Sequence, residues 1–259
     1  MILARLSRAI RTQNWFAVAV EFFIVVAGVL FAFQLSSLAD TRRAQAEEHA
    51  NLLRLLSEAE GAVTYLDNRI SASLASTHLL DRAIRALNEG ALNGLSIDDF
   101  ENGVWGSTRF PALTPPRAVT DELIASGRIG ALSDAGVREA ISRYNRSLDR
   151  FAQQLPYFRQ VAVQPDDIGG AAFSSIYRPD LPDRRETQAD FDALAQNEAF
   201  VREITGSIYG QIIMLRYYDH VREEAFNLCQ AVALAVDRPC DAEPYTLVIF
   251  ETDAREAAP

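Results

Sequence analysis

The residues able to do chemistry are few in this chain, and their spacing matches no familiar site. Its three histidines are His49, His78 and His220, and its two cysteines are Cys229 and Cys240. Helical di-metal sites use a Glu-x-x-His pattern from facing helices. Here the order is reversed, with His78 before Asp81 and His220 before Glu223, while Glu48 adjoins His49. Charged pairs at that spacing are ordinary on a solvated helix face, so no metal ligands are assigned. There is no G-x-S-x-G elbow, nucleotide loop, H-E-x-x-H or C-x-x-C. The run Gly127 to Gly130 is too short to cradle a phosphate and reads as a helix stop with a turn. Tyr217 and Tyr218 beside Asp219 and His220 could line a pocket, but tyrosines on a helix face more often serve packing. No catalytic residue and no cofactor is expected.

Cys229 and Cys240 stand eleven positions apart, with Asp237-Arg238-Pro239 between them as a turn. In an oxidising compartment such a pair can close over a helix end. In a reducing one both would pack as small apolar residues. The disulfide is the favoured expectation.

The elements that position these residues begin at the N-terminus. Phe22 to Ala39 is an uncharged run of 18 residues, FFIVVAGVLFAFQLSSLA, which meets the length criterion for a spanning helix. Extended back to Trp15 it would reach about 37 Å at ~1.5 Å per residue, with Trp15 as an interfacial anchor. Apolar residues occupy all faces, which suits lipid better than a protein core. A cleaved signal peptide is the rival, since Ser37-Leu38-Ala39 resembles a cleavage site, but the run exceeds a normal signal core. Glu21 and Gln34 are the polar residues of this segment. A carboxylate at bilayer depth often marks a proton site or a helix contact; the plainer reading has Glu21 reaching the headgroups. Gly28 and Ala32 form a weak small-xxx-small pair for helix association.

Lys and Arg number 25 against 35 Asp and Glu, a net charge of −10. That balance repels phosphate backbones and disfavours nucleic-acid binding. Residues 1–40 carry Arg5, Arg8 and Arg11 against Glu21 and Asp40, so the whole acidic excess lies beyond them. Arg42, Arg43 and Arg54 follow the segment, and basic flanks alone barely decide orientation. The short basic N-terminus and the cysteine pair favour a cytoplasmic N-terminus, an inner-membrane helix and a periplasmic body.

Beyond the membrane segment, apolar or small residues recur at 52, 56, 59, 63, 66, 70, 73, 77, 80, 84 and 87 with gaps alternating four and three. This heptad seam predicts a long helix from about 42 to Gly90, packed nearly parallel to others as in a coiled coil. Val137, Ile141, Tyr144, Leu148, Phe151, Leu155 and Phe158 repeat the pattern after a start at Ser133-Asp134, with Pro156 expected to kink or end that helix. A third helix is predicted from about Ala189 to Val236, with Val201, Ile204, Ile208, Leu215, Tyr218, Ala225 and Val232 on one face. Thr114-Pro115-Pro116 reads as a helix start running to Gly127. Residues 163–188 read as a long loop, and Tyr245 to Phe250 as a short strand without a partner.

The expected class is therefore mainly α, one N-terminal transmembrane helix followed by a bundle of three or four long helices. The division is a cytoplasmic tail 1–14, a membrane helix 15–39, an extracytoplasmic domain 40–250 and a frayed tail 251–259. Two stretches, QNWFAVAVEFFIVVAGVLFAFQL at 13–35 and TDELIASGRIGALSDAGVREAISRYN at 120–145, together resemble a bacterial family of uncharacterised single-pass membrane proteins. In that family the membrane segment also begins near an acidic residue and ends at a glutamine, matched here by Glu21 and Gln34. An Asn-Trp or Trp-Asn pair usually follows the glutamine, where this chain has Ser36-Ser37-Leu38. The resemblance implies the anchor and the helical domain and no activity.

Three classes of function fit these features. The leading expectation is a structural or interaction role, with the lipid bilayer, a second copy or another envelope protein as partner. A ligand-binding sensor domain is second; the fourteen-residue N-terminal tail is too short for an output domain, so a signal would need a partner. An enzyme comes last.

Overall fold

The computed structural model describes residues 15–181 and 185–250, with the side chains of 15–18 and 185 excepted. The expected frayed tail 251–259 and the tail 1–14 lie outside the described residues. The fold is mainly helical. Three long helices are α1 (Trp15–Glu89), α4 (Ala135–Gln160) and α7 (Glu198–Ala235). Between them lie α2 (Ile97–Gly106), α3 (Ala118–Ala125), α5 (Pro165–Gly169) and α6 (Phe191–Ala195). An antiparallel hairpin joins β1 (Phe173–Tyr177) to β2 (Arg185–Ala189), with Phe173 opposite Ala189 and Tyr177 opposite Arg185.

The chain divides into two compact units, residues 1–51 and 52–259. In the first, α1 includes the one described helix long and apolar enough to cross a membrane, and none of its apolar window is buried. Phe22, Phe23, Ile24, Val29, Leu30, Phe31 and Phe33 are all exposed. Among the described residues nothing packs against this surface, whereas hydrocarbon would cover it.

In the second unit every residue of the 52–87 seam is buried. Its polar members are accommodated locally: Thr77 donates to the Ser73 carbonyl at 2.9 Å. Beside them α2 crosses α1 closely, because an added Cβ on Gly103 would lie 2.6 Å from the Leu79 carbonyl oxygen. Helix α1 ends where expected. Gly90 takes φ 65°, and Ala91 N–H donates to the Ala86 carbonyl, closing the last turn in a left-handed cap.

All seven expected face residues of α4 are buried, from Val137 to Phe158, and Asp134 caps the helix by accepting from Val137 N–H. Pro156 does not end it, since the helix runs on to Gln160 and Val161 N–H reaches the Tyr157 carbonyl. Helix α7 starts later than its apolar pattern suggested. Asp190 and Asn197 are successive caps, accepting from Ala193 and Phe200 N–H, and they divide the stretch into α6 and α7. The expected loop 163–188 contains α5 and the hairpin. Tyr245 to Phe250 forms no strand; it lies as an irregular strap with Ile249 4% exposed.

The buried residues form two clusters. One joins the 52–70 part of α1 to α4 and α7; the other surrounds Phe100, Trp105, Phe173 and Phe200. The hairpin belongs to the second, where Trp105 Nε1 donates to Thr187 Oγ1 at 2.9 Å.

Candidate functional site

The segment from Ser107 to Arg117 has no regular structure, yet side chains of the surrounding helices bond to its backbone at four residues. Gln211 donates to the Ser107 carbonyl, Arg159 Nε to that of Phe110, and Tyr218 Oη to that of Pro111 at 2.7 Å. Thr114 N–H donates to Tyr65 Oη at 3.0 Å. The Phe110 and Phe158 rings stack with centroids 5.6 Å apart. The segment thus runs antiparallel to α4, with Phe110 near Arg159 and Arg117 near Asn145.

Helix α3 follows without a cap of its own, since Arg117 makes no side-chain cap bond. Glu58 on α1 does that work instead. Its Oε1 accepts from Thr120 N–H at 2.9 Å and Thr120 Oγ1 at 2.6 Å, and its Oε2 from Val119 N–H. A carboxylate at a helix N-terminus meets both orphan N–H groups and the positive end of the dipole.

Between the segment and α4 lies a groove of about 460 Å³. Leu113, Leu148, Phe151 and Leu155 supply an apolar wall, and Arg117, Asp121 and Asp149 a charged end. Arg117 donates to Asp121 at 3.0 Å and to Asn145 at 3.4 Å, while its Nε is buried without a partner. Beneath the segment Tyr144 is 1% exposed and its hydroxyl is also unpartnered. Burial pushes the Tyr144 phenol well above its ordinary pKa, so it remains neutral and polar. Tyr65 differs. Burial raises its pKa, but the Thr114 hydrogen bonds and the charge of Arg69 outweigh that and hold it below the usual value.

A second polar cluster ties down the C-terminal strap. Arg222 is 4% exposed although it is an arginine. Its Nε meets Asp67 at 2.8 Å, a terminal nitrogen donates to the Glu243 carbonyl at 2.6 Å, and its guanidinium lies 5.4 and 5.3 Å from the Phe226 and Tyr245 ring centroids. Asp219 nearby has its pKa raised by burial and by Glu223. Asp241 N–H donates to Glu60, and His78 Nε2 lies 2.6 Å from the Ile249 carbonyl oxygen. The hydrogen bonds of Arg222, Asp241 and His78 all end on structural partners, so the chemistry of this cluster is that of a clasp.

The residues singled out from sequence fall in separate places. Cys229 and Cys240 are joined, with Cα atoms 5.8 Å apart. Glu21 and Gln34 are exposed on the apolar stretch of α1; Trp15 opens that helix, and its side chain lies outside the described residues. The histidines do not converge: His49 is exposed, His78 meets the strap, and His220 lies 3.8 Å from Glu223. Among the described residues no group of three His, Cys, Asp or Glu side chains could hold a metal. Tyr217 packs against Phe151 and Phe158, and Tyr218 is buried.

Sequence reasoning missed Arg222, Glu58 and Arg117. Arg222 had a signal, because it stands four positions after Tyr218 and three before Ala225, inside the apolar face. Glu58 had none, since its partner helix is sixty residues away in sequence. Comparison with family models, curated proteins and solved structures finds no match to this chain.

Proposed function

We propose that this chain is a single-pass inner-membrane protein with a cytoplasmic N-terminus, whose periplasmic helical bundle acts by binding another envelope protein or a second copy of itself. The observation that carries the membrane part is the apolar window of α1, of which none is buried. A core helix of the same composition would bury one face at least. The joined cysteines favour the oxidising side of the membrane. For the interaction part, Tyr157 on α4, Val161 at its C-terminal cap, and Tyr209 and Ile213 one helical turn apart on α7 are between 46% and 68% exposed. Where exposed apolar groups form one contiguous patch they mark a docking face, and these four are the side chains offered for it.

Carbonate-washed membranes test the anchor: the full-length chain should stay in the pellet, and a mature chain beginning at Asp40 in the supernatant would defeat it. A photo-crosslinking residue at Tyr209 tests the docking face in intact cells. A discrete adduct is expected there, and its absence while a control at the bilayer segment crosslinks would refute the interaction reading.

A second reading is a ligand-binding domain that signals through a partner. It is favoured by the groove between the 112–117 segment and α4, whose volume lies in the range of small-molecule sites.

A further inference from the structure

The groove places both signs of charge beside one apolar wall. Arg117 and Asp121 form a pair 3.0 Å apart at its charged end. Asp149, exposed one helical turn beyond Asn145, lines the same groove, and its carboxylate makes no ion pair or hydrogen bond among the described residues. The Arg117 side chain is 32% exposed and lines the groove, so its guanidinium can take an acceptor beyond Asp121 and Asn145.

Those groups discriminate among ligand classes. A simple anion could accept from Arg117 but would face Asp121 and Asp149. A simple cation could pair with Asp149 but would face Arg117. A neutral apolar molecule would cover the wall and leave a desolvated carboxylate behind, which is costly. A ligand carrying both charges and an apolar body meets every group at once.

We propose that this groove binds a small zwitterion with an apolar body, the chemistry of an apolar α-amino acid or dipeptide. Its carboxylate sits at Arg117, its ammonium group at Asp149 and Asp121, and its side chain against Leu113, Phe151 and Leu155. This inference rests on the ligand-binding reading and is independent of the docking face.

Isothermal titration of the full-length protein in lipid nanodiscs tests it, with leucine and Leu-Leu as probes and their relative affinities separating amino acid from dipeptide. At least one should bind. N-acetyl-leucine lacks the cation, leucinamide the carboxylate and glycine the apolar body, so each should bind about tenfold more weakly or worse. Asp149→Asn should weaken binding by a similar factor, and Ala152→Trp, at an exposed position of the lining, should abolish it by filling the groove. Neither change removes a native partner, so unchanged thermal unfolding shows that both variants are folded. The proposal is overturned if neither zwitterion binds, if N-acetyl-leucine or leucinamide binds as well as its parent, or if Ala152→Trp leaves binding intact. Binding of a modified probe that Ala152→Trp abolishes would retain a ligand groove of other chemistry. Silence of the groove toward all five compounds, with native mass spectrometry finding no bound metabolite either, would remove the ligand-binding reading as well.

Discussion

At the scale of single residues, the second unit spends charged groups on structure. Arg222 shows the balance best, because its side chain is 5% exposed while that of Asp67 is 41% exposed. Removing the arginine lets Asp67 rehydrate, but it also removes the contact with the Glu243 carbonyl and the packing of two aromatic rings. Arg222→Ala is therefore expected to cost about 2 to 3 kcal/mol in urea unfolding, with the strap becoming the most exchange-labile part of the unit. Asp219 works in the opposite sense. Its folded pKa is raised by burial and by Glu223, so the folded state binds its proton more tightly than the unfolded state does. The penalty is absent below the ordinary carboxylate range, grows as pH rises toward the folded pKa and is complete above it. Asp219→Asn should raise the melting temperature at pH 7 by about 1 °C, a small effect because the group is partly solvated. The gain should vanish near pH 3. A gain of equal size at both pH values would show that charge is not the cause.

At the scale of elements, the close crossing of α1 and α2 depends on the missing side chain at Gly103. A Cβ there would meet the Leu79 backbone oxygen at 2.6 Å and the Ala83 Cβ at 3.0 Å, and backbone cannot swing aside as a flexible side chain can. Gly103→Ala should destabilise by roughly 1 to 3 kcal/mol. Gly206 on α7 provides the internal contrast, since nothing lies within 4 Å of the position its Cβ would take. Gly206→Ala should stabilise by about 0.5 to 1 kcal/mol through helix propensity alone. Chemical denaturation of both variants checks the pair, and a stable Gly103→Ala would mean that the crossing is looser than described.

At the scale of the whole molecule, the disulfide closes the C-terminal strap onto the second unit. Cys229 is buried in α7, and Cys240 begins the chain that Glu60, Arg222 and His78 hold further along. A loop of this size stabilises by roughly 2 to 3 kcal/mol, chiefly by restricting the unfolded chain. Cys240→Ser should lower stability by about that amount and raise hydrogen exchange in residues 241–250, while exchange in α4 stays near its original rate. Equal loss of protection in both regions would mean that the bridge supports the core rather than the strap.

The sequence by itself determined the long helices and their inward faces. Every position of the 52–87 seam is buried, as is every named position of α4, because the 3.6-residue period fixes which side chains share a face before any partner is known. It also determined the exposed apolar window, the cap at Gly90 and the helix start at Ser133-Asp134. Tertiary structure decided what period cannot encode. The division of the 189–236 stretch came from Asp190 and Asn197 acting as caps, which a continuous apolar pattern conceals. The hairpin at 173–189 formed because Phe173 and Thr187 found Trp105 and Phe200 from distant helices. Val201 and Ile208 are only half-buried although they belong to the expected face of α7, since neighbours and not periodicity set the depth of burial. The groove was invisible for the same reason. Its two walls are brought together by contacts such as Arg159 with Phe110 and Glu58 with Thr120, 49 and 62 positions apart, and a hydrogen bond across that distance exists only once the chain has folded.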